Sequence, residues 1–232
     1  MRDLVRRVGL LQLLVVVFMP LTAVSQNEQL SEPKVVLIGD SIRLSYASIV
    51  SKSLEGQATI ISPAANGGDS RNVLKNIQLW AVQEQPEIIH FNCGIHDTKK
   101  SKNSEEFQVS PEQYETNLRE IVSSIRAHTN AVILFSTTTP ILDLEAGQTR
   151  AERDYELLNS SIVRYNKIAI GVMRSLEVPI NDLYHVIADS DQSIRELIGS
   201  DGVHLTSHGQ KLAGQSVSAF IRNHLGKATR SR

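Results

Sequence analysis

Short apolar runs alternate with stretches of helical period along the chain. Residues 34–39 (Lys-Val-Val-Leu-Ile-Gly) form an apolar run closed by a glycine, the pattern of a buried strand. Residues 44–55 then place Leu44, Ala47, Ile49, Val50 and Leu54 at helical spacing. A second strand is predicted over 58–62. A helix follows over 70–83, with Val73, Leu74, Ile77, Trp80 and Ala81 on one stripe. Residues 87–92 read as a third strand and 98–110 as a polar connection. Ser110, Pro111 and Gln113 then supply an N-cap, a first helical position and a third position for another helix. A fourth strand is expected over 131–136, a loop over 142–150, a helix over 151–176 weakened at Gly171, and a fifth strand over 178–183. The last helix, 206–225, turns Leu212, Ala213, Val217, Phe220 and Ile221 inward.

Five strands of five or six residues, separated by helices, predict an α/β fold with a parallel sheet covered on both faces. Ligands of such sheets lie outside the carboxyl ends of the strands, so chemistry is sought just after each strand. Composition narrows the classes. Hydrophobic residues make up 41 % of the 232 and charged residues 21 %, a folding composition. A net charge of −1 supplies no cationic face for nucleic acid. The single cysteine, Cys93, cannot form an internal disulfide and reads as a small buried hydrophobe.

The N-terminus has its own pattern. Arg2, Arg6 and Arg7 precede an uncharged stretch from Val8 to Val24, and Ala23-Val24-Ser25 places small residues at both ends of a cleavage site. This order predicts a signal peptide over residues 1–25, with a single domain over 26–232 outside the cytoplasm. An uncleaved anchor is the alternative, although the run is short for a bilayer span and broken by Pro20. Without the leader the chain is mildly acidic, and no stable membrane insertion is expected.

Four strand ends carry candidate chemistry. Ser41, in Gly39-Asp40-Ser41-Ile42, stands between a strand and a helix, where it suits either an N-cap or a nucleophile beside helix-end N–H groups. Arg43 takes the place of the second Gly of a Gly-x-Ser-x-Gly elbow, so that signature is not met. Asn66-Gly67-Gly68-Asp69 is a turn whose glycine N–H can approach a ligand closely. Gly94-Ile95-His96-Asp97 follows the third strand. Asp201-Gly202-Val203-His204 precedes the last helix, either as a simple turn or as a carboxylate holding an imidazole in one tautomer. His204 and His208 could chelate a metal with Asp201, but the Glu of a His-Glu-x-x-His pattern is missing. His90, inside the third strand, reads as a buried, hydrogen-bonded residue.

Together these four blocks resemble those of the SGNH (GDSL-type) hydrolase superfamily, in family order, from residue 35 to about 225. The resemblance implies a flavodoxin-like three-layer α/β/α sandwich with a five-stranded parallel sheet. It implies ester hydrolysis by Ser41 as nucleophile, His204 as base and Asp201 as its orienting partner, with the backbone of Ser41 and Gly68 lining an oxyanion hole. Neither a metal nor an organic cofactor is implied. His96 departs from the family, which has Asn there. A neutral imidazole still carries one N–H donor, so His96 is the expected third oxyanion donor.

The segments 98–110 and 140–154 are expected to shape specificity. Their charged and polar residues suit a short acyl group, such as acetyl on a carbohydrate, better than a long acyl chain. A lysophospholipase or thioesterase of the same fold is the alternative. A non-catalytic glycan-binding module is the rival from another class. The expected partner is a small-molecule or glycan ester; the oligomeric state is not legible.

Overall fold

The structure, a computed structural model, describes residues 32–228. The predicted leader lies outside the described residues. The first strand, β1 (Lys34–Ile38), leads into α1 (Ser41–Ser53). Then come β2 (Thr59–Ile61), α2 (Ser70–Trp80) and β3 (Ile88–Phe91). A two-residue strand, β4 (Lys100–Ser101), precedes α3 (Pro111–His128) and β5 (Val132–Ser136). Next are α4 (Asp143–Thr149), β6 (Tyr155–Glu156), α5 (Asn159–Ser175) and β7 (Ile180–Asn181). The short α6 (Leu183–Ala188) and α7 (Ile194–Leu197) precede the long α8 (Ser207–Ala228). Among the described residues no helix is long and apolar enough to cross a membrane.

The five main strands form one parallel sheet in the order β2-β1-β3-β5-β7. Successive residues of a strand face opposite sides, and here both sides are apolar. Val36, Ile38, Ile89, Phe91, Ile133 and Phe135 pack against α2, α3 and α5. Val35, Leu37, Ile88 and Leu134 pack against α1, α6, α7 and α8. Each fully buried aliphatic side chain of this kind contributes about 1.5–3 kcal/mol. The predicted sandwich is therefore present, and both of its helical layers are fixed by strand alternation. His90 faces the second layer, with its Nε2 2.6 Å from Ser136 Oγ, and Cys93 is buried.

Strand order also locates the crevice. The chain leaves β1 toward β2 on one side and returns to β3 on the other. The connections after β1 and β3 therefore diverge, and the gap between them opens at the carboxyl ends of the strands. Ser41 follows β1 and His96 follows β3, so both stand at this switch point.

Two sequence expectations are corrected. Residues 142–150 are not a loop: α4 occupies Asp143–Thr149, with acidic residues in its first turn and only Ala146 buried. Residues 151–158 are not helical. They turn and pair antiparallel with β4 through β6, so α5 begins only at Asn159. Good helix formers such as Ala151, Glu152 and Leu157 are overridden there by tertiary pairing. In addition, α1 starts three residues earlier than its apolar period, because Asp40 caps it by accepting from Ile42 N at 2.9 Å.

Candidate active site

Ser41 is the first residue of α1, held at the end of β1 by the Asp40 cap. Its Oγ lies 3.0 Å from His204 Nε2. The other ring nitrogen, Nδ1, lies 2.5 Å from Asp201 Oδ2. Asp201 Oδ1 accepts from the backbone N–H of Val203 at 3.0 Å and of His204 at 2.9 Å. The carboxylate thus fixes both the turn and the imidazole, leaving Nε2 as acceptor toward a donating hydroxyl. Burial pushes the Asp201 carboxyl up, but the His204 imidazole and the two N–H groups outweigh this and hold it at about 2.

Arg150 lies in the segment 140–154 expected to shape specificity, but its contact with Asp201 was not foreseen from the sequence. Its guanidinium donates to Asp201 O at 2.8 Å and approaches Asp201 Oδ2 at 3.6 Å. It sits at the end of α4, the helix that the apolar pattern missed. The turn carrying His204 is closed further by Gly199 N donating to His204 O at 2.7 Å.

The loop after β2 carries the second candidate block. Gly68 has φ +60°, a region that favours glycine, and its N–H donates to Asn66 Oδ1 at 2.9 Å. The loop is tied down on several sides. Gly67 N donates to Gly39 O at 2.9 Å, and Asn72 Nδ2 donates to Gly67 O at 2.8 Å. The buried Arg43 donates to Ser62 Oγ, Pro63 O, Ala65 O and Gly39 O at 2.7–3.0 Å. The residue that broke the elbow signature therefore joins the Ser41 strand end to the Gly68 loop.

His96 and Asp97 act on different neighbours. Asp97 is buried and accepts from Ser70 N at 3.0 Å and from the Ser70 hydroxyl, which clamps the start of α2. Burial pushes its carboxyl up to about 7 against these donors. His96 is half-buried, and its imidazole pKa is lowered by burial, with the nearby Asp40 carboxyl opposing. Ser41, His204, His96, Asn66, Lys99, Arg150 and Tyr155 line one open cleft of about 240 Å³. Gly68 stands beside it through Asn66. Among the described residues no group of three His, Cys, Asp or Glu side chains could hold a metal; His208 is exposed on α8.

A hydroxyl, an imidazole and a carboxylate in hydrogen-bonded series at a helix N-terminus can carry out acyl transfer. Comparison with known proteins gives the fold and the family. A GDSL esterase/lipase of Arabidopsis thaliana is 23 % identical over 208 residues, which cover 82 % of this chain and 86 % of the relative. A lipase/acylhydrolase from Enterococcus faecalis superposes with TM-score 0.68 at 20 % identity, covering 84 % of this chain and 96 % of that one. An acetyl-xylooligosaccharide esterase from Geobacillus stearmophilus superposes with TM-score 0.66 at 16 % identity, covering 82 % and 93 %. Residues 37–212 match the profile of the GDSL-like lipase/acylhydrolase family, so the chain belongs to that family and is a carboxylic ester hydrolase.

Proposed function

We propose that the protein is an exported serine esterase that removes short acyl groups, acetyl above all, from a carbohydrate. The observation that carries this reading is the series Ser41 Oγ–His204 Nε2–Asp201 at 3.0 and 2.5 Å on the wall of one cleft. Ser41 Oγ attacks the ester carbonyl while His204 takes its proton. The tetrahedral intermediate collapses to acyl-Ser41, and His204 returns the proton to the departing alcohol. Water then attacks the acyl group, again with His204 as base; the imidazolium returns that proton to Ser41 Oγ as the acyl bond breaks, and the free acid leaves. Asp201 stays ionised and stabilises the imidazolium formed in each half-reaction. The first-turn N–H of Ser41, the Gly68 loop and the ring N–H of His96 meet the developing oxyanion, His96 taking the place of the family's Asn.

The acetyl preference rests on the cleft walls. Lys99, Arg150, Asn66 and the two histidines share them with Ile95, Tyr155, Leu157 and Val203, and a short, open cleft of this mixed lining suits a small acyl group on a hydrated alcohol. The acetyl-xylooligosaccharide esterase of the same fold is consistent with such a substrate. Export is read from the basic, apolar and small-residue order of residues 1–25.

The test is labelling by a fluorophosphonate probe, together with hydrolysis of a nitrophenyl ester series. The wild type should be labelled and Ser41→Ala should not, and acetyl should be the fastest ester. A rate maximum beyond eight carbons would instead mean a lipid-type acyl substrate. Absence of both labelling and turnover would leave a glycan-binding module.

A further inference from the structure

The Gly68 N–H is already engaged with Asn66 Oδ1 at 2.9 Å. Only an oxygen can accept there, so the orientation of the Asn66 amide is fixed. Oδ1 faces Gly68, which leaves Nδ2, with its two N–H donors, for another acceptor. Asn66 is exposed and lines the same cleft as Ser41, His96 and His204. We propose that Asn66 is a catalytic residue of this site, whose Nδ2 donates a hydrogen bond to the oxyanion with Gly68 behind it. The inference rests on the esterase reading and deepens it.

Three features support a donor at this place. The first is rigidity. The Asn66 backbone lies between Ala65 O, held by Arg43, and Gly67, whose N–H and C=O are held by Gly39 and Asn72. A preorganised donor stabilises developing charge without reorganising at the moment of reaction. The second is polarisation. A donor bonded to the amide oxygen draws charge from the amide and strengthens its N–H groups as donors. The third is need. Position 96 carries an imidazole, with one N–H in its neutral form, and the Asn66 amide adds the kind of donor that position lacks. No new bond is made or broken in this step; one hydrogen bond shortens as charge builds on the carbonyl oxygen.

The experiment compares Asn66→Ala and Asn66→Asp with the wild type on nitrophenyl acetate. Asn66→Asp keeps an acceptor for Gly68 N–H and loses the donor; Asn66→Ala loses both. A donor role predicts that kcat falls about 10²–10³-fold in both variants while KM and Tm stay close to wild type. The affinity for a phenylboronate, which forms a tetrahedral adduct with Ser41, should weaken in parallel with kcat/KM. If Asn66→Asp works like the wild type while Asn66→Ala fails, Asn66 only shapes the turn and the inference is overturned. Wild-type kcat in Asn66→Ala overturns it too, whatever Asn66→Asp does. Should Asn66→Ala not fold, Asn66→Ser, which keeps an acceptor oxygen for Gly68 without the amide, takes its place under the same criteria. These results are separate from the esterase reading. A wild type that is neither labelled nor active sinks that reading and this inference with it, whereas an active wild type with an indifferent Asn66 sinks only the inference.

Discussion

At the scale of single residues, two Asp–His pairs with the same spacing are instructive. Asp182 and His185 are also three apart, and His185 Nδ1 lies 2.8 Å from Asp182 Oδ2. The hydrogen bond to Asp182 raises the pKa of His185. Yet it is His204 whose second nitrogen meets Ser41, because its turn faces the end of β1. Spacing therefore identifies the pair but not the partner; what picked out the second pair in the sequence was its place before the last helix and the resemblance to the family. Asn66 and Arg150 were not legible, since a turn Asn and a loop Arg are common and their contacts form only when distant segments meet. The oxyanion role proposed for His96 can be tested directly. Burial lowers the imidazole pKa and so favours the neutral ring, which offers one N–H. His96→Ala should lose about 10²–10³-fold in kcat on an aryl acetate, and His96→Asn should retain most of the activity by restoring an amide donor. Asp201, held at about 2, remains a carboxylate throughout the working range.

At the scale of elements, the central strands β1, β3 and β5 were legible because each is a short apolar run buried on both faces, a signal that depends little on neighbours, whereas the edge strands β2 and β7 are shorter than expected and only partly buried. The four long helices α1, α3, α5 and α8 and the shorter α2 were legible for the same reason: each lays an apolar stripe on the sheet. The rim was not. In α4 a single buried residue, Ala146, leaves no period to read, while the β4–β6 ribbon is two residues on each side and rests on long-range pairing. Arg43 shows the same limit from inside an element. It lies on α1 with less than 2 % of its surface exposed, and its meaning comes from the carbonyls it reaches in another segment. A hydrogen bond to a charged group contributes about 1.5–3 kcal/mol. Losing four of them together, without additivity, should cost Arg43→Met about 3 kcal/mol or more. That is a fall in Tm of roughly 6–12 °C for a domain of this size. Arg43→Lys should lie between, because one ammonium cannot match the fork that spans Gly39 O, Ser62 Oγ, Pro63 O and Ala65 O. Thermal melts of the two variants check this, and equal melts for Lys and Met would mean that the fork geometry is irrelevant.

At the scale of the whole molecule, Ser41 and His204 are separated by 163 residues, and α1 lies against α8 on one face of the sheet. Ala47 and Val50 of α1 share a cluster with Ala213, Val217 and Ile221 of α8. The close approach of the two helices requires Gly214: a Cβ there would meet Ile49 Cγ2 at 2.8 Å and Ile49 Cβ at 2.9 Å. Since one of these atoms is anchored to the backbone of α1, the helices must part to admit it. The cost sets two effects against each other. Overpacking costs about 1–3 kcal/mol, while replacing a mid-helix glycine by alanine returns about 1 kcal/mol of helix propensity. Gly214→Ala should therefore lose about 0–2 kcal/mol, a Tm decrease of at most roughly 8 °C. The effect on rate should be larger than this modest loss suggests. The turn holding His204 runs directly into α8, and a displacement near 1 Å between Ser41 and His204, the proposed nucleophile and base, can cost on the order of 10²-fold. Gly214→Ala should lower kcat about 10–100-fold, with KM little changed. Adding Ile49→Ala removes the branch that α8 collides with and should recover part of the rate, a coupling that a double-mutant cycle on kcat measures. If Gly214→Ala lowers Tm and leaves kcat intact, the α1–α8 contact stabilises the sandwich without setting the distance between Ser41 and His204.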